Sequence, residues 1–98
     1  MPLFTMMLEY RGTSAISQVR ASSAKAAAAK WAKEFNYAGT LGVGDDTKSE
    51  LMRDFTRETP IPVKHTSSAW CSTGLGSGHM ALLYIVQTSE AAAKKKKR

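Results

Sequence analysis

Met80-Ala81-Leu82-Leu83-Tyr84-Ile85-Val86 is the stretch that decides the fold of this 98-residue chain. The run is apolar at consecutive positions and reads as a strand over His79–Thr88. A half-exposed strand alternates polar and apolar residues; one that is apolar on both sides belongs in the middle of a sheet with both faces covered. The rest of the chain supplies the neighbours and covers of that strand.

On its N-terminal side, Gly74-Leu75-Gly76-Ser77-Gly78 reads as a connection, and Thr66–Thr73 reads as another strand with Trp70 in the core. At the chain start, Leu3–Tyr10 alternates, with Phe4, Met6, Leu8 and Tyr10 on one side and Leu3, Thr5, Met7 and Glu9 on the other. Arg11-Gly12-Thr13 supplies a turn, and Ala15–Ala21 returns as the second strand of a hairpin. Either Ser22 or Ser23 can cap the helix that follows, Ala24–Phe35. Ala24, Ala28, Trp31 and Phe35 form one apolar stripe on that helix, and its small residues allow close approach to a sheet. Asn36–Gly44 reads as a flexible loop because of Gly39, Gly42 and Gly44. Thr47-Lys48-Ser49-Glu50 fits a capping box, with Asp46 a rival cap. It opens a short helix with Leu51, Met52 and Phe55 on its apolar face, ended by Pro60 and Pro62.

The expected fold is therefore α+β, ββα(α)ββ, a four-stranded, mainly antiparallel sheet with the helices on one face and the strand order open. Residues 1–88 are expected to be a single domain and residues 89–98 a basic C-terminal tail. Two helices cover one face of the sheet, and the other is left to a loop or a second copy. With Leu3 and Met7 on that second face, the pattern predicts a homodimer formed through the face or an edge.

Charge sharpens this division. The chain carries 14 Lys and Arg against 8 Asp and Glu, a net +6. Lys94, Lys95, Lys96, Lys97 and Arg98 account for five of the positive charges, so the remaining residues balance at 9 to 8. A folded nucleic-acid binder carries its charge on a face or groove, whereas here it sits in the tail. Those five residues are the candidate nucleic-acid contact, weak and nonspecific, acting through counterion release. No aromatic residue is interleaved with them for base stacking. Cys71 is the only cysteine, so an intramolecular disulfide is excluded and a reducing, cytoplasmic setting is expected. No apolar run reaches membrane-spanning length, and no membrane partner is expected.

Chemistry-bearing residues are sparse. Gly39-Thr40-Leu41-Gly42-Val43-Gly44 runs into Asp45-Asp46, whose carboxylates would repel phosphate, so it is not a nucleotide cradle. His65, Cys71 and His79 lack the paired spacing of a metal site, and Cys71 reads as a small buried hydrophobe. Asp45 and Asp46 suit a helix start, and Glu50 and Asp54 suit a solvated helix face. No catalytic, cofactor or metal residues are assigned, and no enzymatic activity is expected.

Met1-Pro2-Leu3-Phe4-Thr5, Glu9-Tyr10-Arg11-Gly12, Ile16-Ser17-Gln18-Val19-Arg20-Ala21, Trp31 and Trp70-Cys71 together resemble a group of small bacterial proteins of unknown function. That resemblance implies a bacterial origin and no activity. Strands leading into Ser22-Ser23-Ala24-Lys25 are similar in shape to the end of a double-stranded RNA-binding domain, though no helix precedes them. A hairpin followed by a helix also resembles HicB-type antitoxin domains, which open with three strands where this chain has two. Three readings follow, in decreasing order. The first is a small, self-associating, non-catalytic interaction module. The second is a nucleic-acid-binding accessory protein using the tail with Arg11, Arg20 and Lys25. The third is an enzyme using Cys71 with a histidine, which requires an accessible thiol.

Overall fold

A computed structural model describes residues 1–89. Its elements are β1 (Leu3–Tyr10), β2 (Thr13–Arg20), α1 (Ala24–Glu34), α2 (Tyr37–Leu41), α3 (Asp45–Arg57), β3 (Ile61–Pro62), β4 (Ala69–Gly76) and β5 (His79–Thr88). The strands form one antiparallel sheet in the order β2-β1-β5-β4-β3. The doubly apolar strand β5 holds the middle, paired along its length with β1 on one side and β4 on the other.

Two hairpins build the long strands. Arg11 and Gly12 join β1 to β2 with φ of 48° and 83°, and Ser77 and Gly78 join β4 to β5 with φ of 51° and 77°. Positive φ at both central residues is the type I′ turn, whose twist matches that of the strands it joins. The closing pairs are Tyr10–Thr13 and Gly76–His79.

One face of the sheet carries the core. Phe4, Met6, Leu8 and Tyr10 of β1 and Ala81, Leu83 and Ile85 of β5 point into it and are buried. Ser23 caps α1 by accepting the Ala26 N–H at 3.1 Å, and the helix buries Ala24, Ala27, Ala28, Trp31 and Ala32. This helix crosses β2, β1 and β5, whereas α3 lies over β4. Trp31 joins the helical layer, stacking on Phe35 at 4.7 Å between ring centroids and meeting Phe55 edge-on at 5.5 Å. Tyr37 closes the cluster and donates its hydroxyl to the Ala32 carbonyl at 2.7 Å; burial pushes its pKa well above the usual phenol range.

The sheet has five strands, not the four expected. The addition is β3, where Ile61 and Pro62 pair with Cys71 and Trp70. Proline is compatible with an edge position because its missing N–H is not required there. The expected strand Thr66–Thr73 is displaced to Ala69–Gly76, so Gly74 and Gly76 are strand residues and the turn is only Ser77-Gly78. The segment expected to be loop contains α2, capped by Asn36 Oδ1 on the Gly39 N–H and closed by Gly42 in the left-handed region. The helices accordingly number three among the described residues. No helix there is long and apolar enough to cross a membrane.

Candidate interaction surface

Alternation along each strand sends Leu3, Thr5, Met7 and Glu9 of β1 to the side away from the helices. Pair partners share a side, so Ser14, Ile16, Gln18 and Arg20 of β2 join them. From β5 come Met80, Leu82, Tyr84 and Val86, and from β4 Cys71, Thr73 and Leu75. No element of the described chain covers this side. Its middle is a single row across all five strands, Ile16–Met7–Tyr84–Cys71–Ile61. The row ends, Ile16 and Ile61, are 69% and 70% exposed.

Exposure is sorted by side. The large hydrophobic residues exposed among the described residues are Met1, Met7, Ile16, Ile61, Leu75, Met80 and Val86. All but Met1 stand on the uncovered side of the sheet. Charge is nearly absent there: among the strand residues on that side only Glu9 and Arg20 are ionic, and they are opposite in sign. Contiguous apolar surface of this kind on a small domain marks an association site.

The two edges of the sheet differ. At β4, Asp54 Oδ2 of α3 accepts the Leu75 N–H at 2.9 Å, and Glu50 Oε1 accepts the Ser77 N–H at 2.9 Å. Thr47 is buried, and its hydroxyl meets that of Ser77. The buried Tyr10 hydroxyl donates to the Gly76 carbonyl at 2.7 Å. Below Leu75, β3 pairs with β4, and the Val63 N–H reaches the Ala69 carbonyl at 2.9 Å. These contacts correct two expectations. Thr47 and Glu50 form no capping box, because α3 begins at Asp45 with Gly44 as its N-cap and their polar groups serve the β4–β5 turn. Glu50 and Asp54 are half-buried acceptors for strand and turn amides, not a solvated face.

At β2, by contrast, the outer edge is open among the described residues. A groove of about 560 Å³ runs beside it on the helix side, walled by Trp31, Glu34, Phe35, Asn36 and Thr40.

The remaining candidates do not assemble into a chemical site. Cys71 is half-buried between Tyr84 and Ile61, and burial raises its thiol pKa, which disfavours the reactive thiolate. His79 is five residues along β5 from Tyr84, roughly 17 Å away at strand rise. His65 lies in the β3–β4 connection with φ of 66°. No three His, Cys, Asp or Glu side chains cluster as metal ligands among the described residues. The Ser72 hydroxyl is buried on the helix side without a hydrogen-bond partner among them.

Arg11 occupies the β1–β2 turn and Arg20 the far end of β2, so no single basic patch holds both. Arg20 Nη1 donates to the Met1 carbonyl, and Lys30 Nζ to the Arg20 carbonyl. Lys94, Lys95, Lys96, Lys97 and Arg98, the candidate nucleic-acid contacts, lie outside the described residues. Comparison with protein-family models, curated proteins and solved structures finds no match.

Proposed function

We propose that this protein is a small, cytoplasmic, non-catalytic interaction module that binds a second copy of itself through the uncovered side of its sheet. The observation that carries this reading is the apolar row Ile16–Met7–Tyr84–Cys71–Ile61, flanked by Leu75, Met80, Leu82 and Val86. Two sheets packed face to face stand about 10 Å apart and interdigitate side chains of this size. Four strands of about eight residues, spaced ~4.8 Å and rising ~3.3 Å per residue, give a flat area of about 500 Å². A pair of such faces therefore buries about 1,000 Å², the lower bound for a specific interface. The Glu9 and Arg20 charges are compatible with self-packing because neither sign is in excess on the face.

Sedimentation equilibrium of the 98-residue protein at tens of micromolar tests this. The expected mass is a multiple of the 10.6 kDa chain, and Tyr84→Glu, at the centre of the face, is expected to lower it. A wild-type mass of 10.6 kDa throughout would overturn the reading.

A further inference from the structure

The uncovered face does not account for the second unusual feature, the open edge of β2. Eight consecutive pairs join β2 to β1 without a bulge, and the strand contains no proline or lysine and a single charge, Arg20, at its end. Bulges, proline and charge are the common devices that keep an edge from pairing with another chain. The hydrogen-bonding phase of β2 follows from its turn. A two-residue hairpin closes on a hydrogen-bonded pair, here Tyr10–Thr13, so Thr13, Ala15, Ser17 and Val19 face β1 with their backbone groups. The N–H and C=O groups of Ser14, Ile16 and Gln18 then point outward, and they have no partner among the described residues.

We propose that this edge is a second self-association site, at which β2 pairs antiparallel with β2 of another copy and Ile16 lies on the two-fold axis. This register matches the outward backbone groups. Ile16 exchanges both bonds with Ile16 of the second copy, and Ser14 does the same with Gln18. The face parity is also preserved, because even-numbered residues meet even-numbered residues and the helices stay on one side. On the uncovered side the row then runs on through Ile16 into its counterpart, doubling the apolar surface. On the helix side, Ala15 and Ser17 come to stand opposite each other, and the groove of about 560 Å³ leaves room for these small side chains. The two Arg20 side chains are set about 26 Å apart along the strands, well beyond the screening length. Parallel pairing would place them side by side.

The edge axis is perpendicular to the sheet at Ile16, and a face-to-face axis runs parallel to the sheet, midway between the two packed layers. With that axis along the row Ile16–Met7–Tyr84–Cys71–Ile61, the two axes intersect and generate a closed tetramer of D2 symmetry, made of two ten-stranded sheets. The edge proposal stands beside the face-packing reading and fails separately from it.

Mass measurement of four forms of the full chain separates the two sites. The wild type is expected at four times 10.6 kDa. Gln18→Pro removes an outward N–H without touching the β1 ladder, and is expected to halve the mass; Tyr84→Glu is expected to halve it through the face. The double variant is expected to be a monomer. Circular dichroism and the thermal midpoint report whether each variant is folded.

A second experiment does not depend on proline being tolerated. In a Cys71→Ser background, Ile16→Cys is expected to be bridged rapidly by a short bifunctional thiol reagent, since hydrogen-bonded antiparallel partners lie about 5.5 Å apart. Ser14→Cys, whose counterpart is about 13 Å away along the strands, is expected to stay unbridged. A wild-type assembly that Tyr84→Glu splits and folded Gln18→Pro leaves unchanged would overturn the edge proposal and leave the face reading standing. Equal bridging of the two cysteine variants would also overturn it. An assembly split by Gln18→Pro alone would support the edge and sink the face.

Discussion

The two edges of this sheet are built to opposite ends. Along β4, α3 lies close overhead, Asp54 takes the Leu75 amide, Glu50 takes the Ser77 amide, and the short strand β3 pairs with Ile61 and Pro62. Along β2, α1 crosses but leaves Thr13, Ser14, Ile16, Ser17, Gln18 and Arg20 exposed, and no strand among the described residues follows. The difference comes from where small residues are placed. At β4 they are in the strand, as Gly74 and Gly76, so a helix carrying Leu51 and Phe55 comes down onto the backbone and its carboxylates reach the edge. At α1 they are in the helix, as Ala24, Ala27 and Ala28, so that helix sits deep over the centre of the sheet and Trp31 reaches across to α3. A sheet closed at one edge and open at the other grows in only one direction. On the edge proposal, pairing through β2 therefore ends at two joined sheets and does not run on into a fibre.

The largest expected asymmetry lies in the core beneath each edge. Phe55 is fully buried, meets Trp31 edge-on and would touch any side chain placed at Gly74. Truncating it, Phe55→Ala, is expected to lower stability by about 3–5 kcal/mol, combining lost transfer energy with a cavity. Val19 on the helix side of β2 is only half-buried, and Val19→Ala is expected to lower stability by less than about 1.5 kcal/mol. Urea unfolding of both variants in the Gln18→Pro/Tyr84→Glu background keeps assembly out of the comparison. Equal losses would show that β2 is as firmly covered as β4.

A smaller effect tests the close approach itself. A Cβ at Gly76 would stand 2.9 Å from both Leu51 Cγ and Thr47 Cγ2, closer than atoms pack. Both neighbours belong to a buried helix face, so they have little freedom to retreat. Gly76→Ala is expected to destabilise by about 1–3 kcal/mol through overpacking. The same kind of change on the open edge, Ser17→Val, adds volume beside a groove and is expected to stay within about 0.5 kcal/mol. A neutral Gly76→Ala would mean that α3 can lift off β4, and the helix-guarded edge would lose its physical basis.

Those glycines also show where sequence reasoning succeeds and where it stops. The double-sided hydrophobicity of 80–86 places β5 in the middle of the sheet, and the alternation of 3–10 assigns Phe4, Met6, Leu8 and Tyr10 to the core. Both are local patterns. Gly74 and Gly76 read as breakers because a glycine that permits a turn and one that admits a helix look the same in sequence; only the second is true here, since neither has positive φ. Thr47 and Glu50 have the spacing of a capping box, but the β4–β5 turn, some thirty residues away in sequence, binds them instead. The two-residue β3 is too short to show a period at all. For the site, the apolar members Leu3 and Met7 are legible from alternation. Their alignment with Ile16, Cys71 and Ile61 depends on strand order and register, which no local pattern encodes.

The finest contrast is a single amide at each edge. The Leu75 N–H points outward from β4, as the Ile16 N–H does from β2, but the Asp54 carboxylate accepts the first at 2.9 Å. A hydrogen bond to a charged group is worth about 1.5–3 kcal/mol net. Asp54→Ala is therefore expected to accelerate hydrogen exchange at Leu75 by about ten- to a hundredfold, through local opening of the edge. Asp54→Asn keeps a side-chain oxygen in reach and is expected to restore most of the protection, which separates the hydrogen bond from mere loss of charge. Ile16 supplies the other arm. On the edge proposal its amide is expected to be protected in the wild-type assembly and to exchange freely in folded Gln18→Pro, because no group among the described residues accepts it. If Ile16 is as protected in folded Gln18→Pro as Leu75 is in the wild type, some part of the chain itself closes the β2 edge, and the contrast between the two edges disappears.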